Sequence, residues 1–133
     1  MILLYHNLVP DNSKHGFKNH SLTLFESDFR KHVSYLNKIY DIIPLKNYLE
    51  YLTKNGRPKK RSVSITFDDG TYLTYECLSR VLLKTEINVT VFVSTCQIDK
   101  GPLIYGAHLN ALCGDDIYHQ LEFDGSTFSL NGN

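Results

Sequence analysis

Four short apolar runs, separated by stretches of helical period, constrain this chain more than any other feature. Residues 2–5 (Ile-Leu-Leu-Tyr) form a continuous apolar run that stops at His6 and a polar stretch ending in Pro10-Asp11-Asn12, the pattern of a short, fully buried strand. Ile42 and Ile43, closed by Pro44, mark a second strand. Val63, Ile65 and Phe67 alternate with Ser62, Ser64 and Thr66 to mark a third, and the β-branched residues 89–93 mark a fourth. Between them, Thr23 and Glu26 have capping-box spacing ahead of Phe29, Val33, Leu36 and Tyr40, which recur along one face of a helix of about four turns. Leu45, Tyr48, Leu49 and Leu52 predict a second helix, and Tyr75, Leu78, Leu82 and Leu83 a third. Strands that alternate with helices pair in parallel, so an α/β fold built on a parallel sheet or barrel is expected.

The remaining segments are less regular. Residues 12–20, polar and containing Gly16, His15 and His20, read as a solvent-facing loop. Beyond Gln97, Leu109 and Leu112 suggest a short helix, and residues 121–123 and 127–130 flank Asp124-Gly125-Ser126 as a hairpin.

A chain of 133 residues, 42% hydrophobic and 12% aromatic, has apolar material for one core, so residues 1–133 are expected to form one domain or a portion of one. Fourteen basic residues balance fourteen acidic ones, which argues against a field that draws the chain onto nucleic acid or an anionic membrane. The basic stretch 54–60 has no interleaved aromatic residue and reads as a surface connection. Cys77, Cys96 and Cys113 are odd in number and show no C-x-x-C pair, the pattern of reduced structural thiols. The apolar opening is far shorter than the roughly 20 residues of a membrane span, so no span is predicted and cytoplasmic residence is the expectation.

In parallel α/β folds functional groups gather at the C-terminal ends of strands, where Asp68 and Asp69 stand. Two adjacent carboxylates repel when both are ionised, and a nearby cation resolves the conflict. One can then ligate a metal while the other acts as a base. Gly70 lets the backbone turn sharply after the pair. Alone, Asp-Asp-Gly is first of all a strand-end turn with solvated carboxylates. The full string Ser64-Ile65-Thr66-Phe67-Asp68-Asp69-Gly70, with Leu4-Tyr5-His6 on an earlier strand and Val91-Phe92-Val93-Ser94-Thr95 on the next, resembles the polysaccharide deacetylase (NodB homology) family over roughly residues 1–105.

That resemblance implies a distorted (β/α) barrel and the hydrolytic removal of N- or O-acetyl groups from an acetylated polysaccharide or oligosaccharide. It implies Asp68 as general base and Asp69 as ligand of a divalent metal, zinc with cobalt or manganese as alternatives. His6, at a strand end facing the barrel mouth, is a candidate for lining the substrate pocket, and a hydrogen-bonded structural role is the alternative. Ser94 and Thr95 are candidate substrate contacts or turn caps, and Tyr72 a candidate stacking surface or packing residue. The family's second motif, two histidines four residues apart, is absent: no two of His6, His15, His20, His32, His108 and His119 have that spacing. His108 and His119, eleven apart, match no standard zinc spacing. Cys96 has no nearby histidine to activate it.

The expectation is therefore an N-terminal portion of a deacetylase, inactive alone, with an unpaired strand edge that favours self-association. Two other classes compete. A non-catalytic relic that binds carbohydrate or a partner needs no further metal ligands. A receiver-like phosphoacceptor domain places its acidic pair after the first strand, whereas this pair follows two earlier strands.

Overall fold

The computed structural model describes residues 1–13 and 22–95, and the backbone of residues 120–123 and 126–129. In chain order the elements are β1 (Ile2–Tyr5), β2 (Asn7–Val9), β3 (Thr23–Phe25), α1 (Glu26–Ile39), β4 (Asp41–Ile42), α2 (Leu45–Asn55), β5 (Ser62–Phe67), α3 (Tyr72–Leu82), β6 (Val89–Val91), β7 (Gln120–Phe123) and β8 (Ser126–Ser129). The parallel α/β architecture expected from the alternation of apolar runs is present.

β5 organises it. β1 runs parallel along one edge, from Ile2 opposite Ser64 to Tyr5 opposite Phe67. On the other edge β4 pairs with Ser62 and Val63, and β6 with Ile65, Thr66 and Phe67. With partners on both edges, all six β5 residues are buried, where simple alternation predicts one buried face. Ser64 and Thr66 tolerate burial because their hydroxyls donate to the carbonyls of Ile43 and Leu3, at 2.8 and 3.1 Å.

The core joins Ile65 and Phe67 to Phe29, Val33 and Leu36 of α1, Cys77, Leu78 and Val81 of α3, and Leu8 of β2. Each large side chain removed from water contributes about 1.5–3 kcal/mol. A salt link ties the two helices: Glu26 holds Arg30 at 2.6 Å and Arg80 at 2.7 Å. Burial pushes the Glu26 carboxyl up, but the hydrogen bonds from Arg80 and Arg30 outweigh it and hold the group below the ordinary carboxylate range.

Several expectations are corrected. β1 is half-exposed, with Ile2 at 45% and Leu4 at 55%, because only Leu3 and Tyr5 face the core. The stretch after His6 holds strand β2, paired in parallel with β3. Thr23 therefore lies in β3 rather than at a helix cap; Phe25 takes the N-cap position without a side-chain bond, and Glu26 serves the salt link. The second strand sits one residue earlier than Ile42-Ile43. On α2 only Tyr48 is buried, while Leu49 and Leu52 are exposed. The buried face of α3 is Thr74, Cys77, Leu78 and Val81; Tyr75 and Leu83 are exposed. The ladder of β6 stops at Val91. The hairpin of β7 and β8 is present, with Phe123 opposite Ser126. The expected helix near Leu109 and Leu112 lies outside the described residues, as do His15, His20, Cys96, His108, Cys113 and His119. Among the described residues no helix is long and apolar enough to cross a membrane.

Candidate functional site

Asp68 leaves the end of β5 with its N–H donating to the Tyr5 carbonyl at 3.0 Å, which extends the β1–β5 ladder by one step. His6 and Asp68 thus leave adjacent strands side by side. On the other edge Phe92 N–H donates to the Phe67 carbonyl at 2.8 Å, bringing the continuation of β6 to the same level. Beneath this rim the rings of Tyr5, Phe29 and Phe67 meet pairwise, each pair with centroids 5.3 Å apart. Such close edge and stacked contacts give the strand ends a stiff floor.

The chain then turns through two left-handed residues, Asp69 at φ +71° and Gly70 at φ +66°. Gly70 N–H closes the turn on the Asp68 carbonyl at 2.9 Å, and Ser94 N–H reaches the Asp69 carbonyl at 3.4 Å. The left-handed φ favours glycine, and a Cβ on Gly70 would stand 3.0 Å from Val93 Cγ2, so that side chain would have to give way by a few tenths of an ångström. Aspartate enters the left-handed region at lower cost than most side chains, but still at a cost. Arg61 does the same at the entrance to β5, so the conformation alone marks no site. Its place at the C-terminal end of the central strand gives it meaning at Asp69.

The structure brings His6, Asp68, Asp69 and Ser94 to one rim. His6, both aspartates and Ser94 are half-buried, and Thr95 is exposed. Tyr72 opens α3 as a residue 71% exposed, its hydroxyl donating to Glu76 at 3.2 Å and its ring 6.4 Å from that of Tyr75. Beside the turn an apolar groove of about 400 Å³ is lined by Gly70, Tyr75, Leu78, Leu82, Val91 and Val93; neither aspartate lines it. Cys77 is no nucleophile: burial pushes its thiol up to about 11. Asn7, Thr71 and Thr74, which the sequence reading passed over, form a hydrogen-bonded group under the rim. The spacing Thr-x-x-Thr after the motif was the available signal.

The donor set for a metal is short. Among the described residues no three His, Cys, Asp or Glu side chains are grouped to hold an ion. The described residues therefore do not fit a closed metal site.

The sequence profile of polysaccharide deacetylases matches residues 55–122, just over half of the chain. The chain belongs to the polysaccharide deacetylase family. The matched stretch contains Asp68, Asp69, Tyr72, Ser94 and Thr95, and His6 precedes it. The putative polysaccharide deacetylase YxkH of Bacillus subtilis strain 168 is 30% identical over 93 residues, covering 69% of this chain and 30% of that protein. Among solved structures, IcaB from Ammonifex degensii superposes with a TM-score of 0.63 at 23% identity, over 80% of this chain and 42% of its own. The Streptococcus pyogenes deacetylase PplD, in complex with acetate, gives 0.62 at 24% identity, over 75% and 44%. A de-N-acetylase from Aggregatibacter actinomycetemcomitans gives 0.60 at 15% identity, over 98% and 45%. The chain thus has the α/β fold of the NodB-type deacetylases over less than half the length of these solved relatives.

Proposed function

We propose that this chain supplies the general base and one metal ligand of a deacetylase acting on acetylated polysaccharide or oligosaccharide. The observation that carries the reading is the Asp68-Asp69-Gly70 turn, inside the family match and held beside His6 at the end of the central strand. Asp68 would take the proton of the water that attacks the acetyl carbonyl carbon. Such assistance is typically worth about 10²–10⁴-fold in rate. Collapse of the tetrahedral adduct breaks the C–N or C–O bond, and the proton that Asp68 took from water passes to the leaving nitrogen or oxygen, so that acetate is released with the free amine or alcohol. Asp69 would hold a divalent metal in part, zinc with cobalt or manganese as alternatives; when bound, such an ion polarises the carbonyl and acidifies water. His6, Ser94, Thr95 and the exposed ring of Tyr72 are the proposed sugar contacts.

Because the described donor set is short, residues 1–133 alone are expected to release no acetate from acetylated chito-oligosaccharide or acetylated xylan, with any of the three metals added. In a longer protein that joins this chain to a His-x-x-x-His segment, release should occur and Asp68→Asn should abolish it. Acetate release from residues 1–133, lost on Asp68→Asn, would refute the incomplete-site reading. Sugar binding without release in the longer protein would favour a carbohydrate-binding relic, the reading that the short donor set supports. Among the described strands β1 and β6 pair only with β5, and these open edges support self-association, which light scattering will measure.

A further inference from the structure

Thr74, 1% exposed on α3, meets both flanks of the aspartate turn. Leu8 N–H donates to Thr74 Oγ1 at 2.9 Å, and the Thr71 hydroxyl donates to the same oxygen at 2.9 Å. The Thr74 hydroxyl donates to the His6 carbonyl at 3.4 Å. One proton given and two accepted is the full capacity of a hydroxyl. Thr71 Oγ1 also lies 3.2 Å from Asn7 Oδ1.

The location explains why such a group is needed. Between Tyr5 and Asn7 the chain leaves the β1–β5 ladder and joins β3, so His6 stands at a break between two sheets. Leu8 is fully buried, and its amide finds its acceptor in Thr74. Thr71 follows Gly70 directly and sits at the N-cap of α3, yet its hydroxyl makes no cap bond and turns to Thr74 instead.

We propose that Thr74 is a positioning residue that locks the His6 crossover to the Asp68-Asp69-Gly70 turn, so that the two flanks of the site hold one relative placement. The inference deepens the reading of His6 and the aspartates as a site, but the coupling is a matter of geometry and is tested without substrate or metal. Valine matches threonine in shape yet can neither donate nor accept, which orphans the buried Leu8 amide. Serine keeps the hydroxyl.

Nuclear magnetic resonance on residues 1–133 reads both flanks. In Thr74→Val, the ring signals of His6 and the amide signals of Asp69 and Gly70 should all move, and Leu8 amide exchange should quicken about tenfold or more. Thr74→Ser should restore wild-type positions. Thr85→Val, which removes a hydroxyl just past the end of α3 that donates to the Val81 carbonyl at 3.0 Å, should leave all of them in place. A folded Thr74→Val with His6, Asp69 and Gly70 signals unmoved, or Thr74→Ser behaving like Thr74→Val, overturns the proposal. Should Thr74→Val not fold, Thr71→Val carries the test: it must move the His6 ring signals, and unmoved signals overturn the proposal equally. Failure of the catalytic reading is seen separately, as acetate release indifferent to Asp68→Asn, and leaves the coupling intact.

Discussion

The two faces of the β1–β5–β6 sheet have opposite characters. One presents Leu3, Tyr5, Ile65, Phe67 and Val89 to the helices α1 and α3 and forms the core. The other carries Ile2 and Leu4, both exposed, beside the buried hydroxyls of Ser64 and Thr66. The first face is stabilised by apolar burial, which is large and tolerant of sequence detail; the second by hydroxyl-to-carbonyl bonds between neighbouring strands, which are small and specific. The site stands at the end of both, with its aromatic floor on the apolar face. The contrast teaches that stability and the placement of Asp68 are supplied by different chemistry in the same strand.

Substitutions along this divide should show it. The largest effect is expected for Phe67→Ala, which empties the aromatic trio under the rim and should cost about 3–5 kcal/mol in denaturant unfolding. A cost near 1 kcal/mol would mean that the apolar face does not dominate. Next is Glu26→Gln, which weakens the link between the two helices on that face and should cost about 1–2 kcal/mol at neutral pH. Because the folded Glu26 is held below its ordinary value, its contribution is complete above about pH 5 and is lost as pH falls through the folded pKa. The wild-type advantage over Glu26→Gln in unfolding should therefore be flat near neutrality and shrink in acid; an advantage that grows in acid would reverse the assignment.

At the site the sign should change. Asp69→Gly relieves a non-glycine residue at φ +71° and is expected to leave stability unchanged or raise it by up to about 1 kcal/mol, at the expense of the proposed ligand. A clear loss in melting temperature would show that the Asp69 side chain holds the turn together. The smallest effect is expected for Leu4→Thr on the second face, within about 0.5 kcal/mol, since Leu4 is 55% exposed. A loss above about 1.5 kcal/mol would mean that this face is covered in solution, and light scattering on the same sample would tell self-association from local packing.

Much of the apolar face was legible from residues alone. Phe29, Val33 and Leu36 recur at helical spacing and bury as predicted, and Ile65 and Phe67 alternate as a strand must. Asp68 and Asp69 were placed correctly at that strand's end because a strand that stops at Asp-Asp-Gly has nowhere else to put them. The misreadings share one cause. β2 and β3 are three residues each, too short for any period to register, and each is a strand only because the other lies beside it. The apolar face of α3 was read from Tyr75, Leu78, Leu82 and Leu83; Leu78 is buried and Leu82 packs against the core, but Tyr75 and Leu83 face out, and the helix turns Thr74 inward to meet the Leu8 amide. Glu26 was assigned to a cap, and its arginine partner Arg80 lies 54 residues away.

By itself, then, the sequence determined what depends on neighbours along the chain: the alternation of strands and helices, the apolar faces that repeat at 2.0 and 3.6 residues, and the glycine-ended turn that displays two carboxylates. The tertiary structure alone decided what depends on partners far away in sequence. It placed His6 level with Asp68 through the β1–β5 register, joined Thr74 to Leu8 and His6, and closed Glu26 on Arg80. Hydrophobic periodicity is a local property that any segment carries with it, whereas a hydrogen bond or ion pair exists only where two particular groups meet at contact distance. The residues that set the shape of this site belong to the second kind.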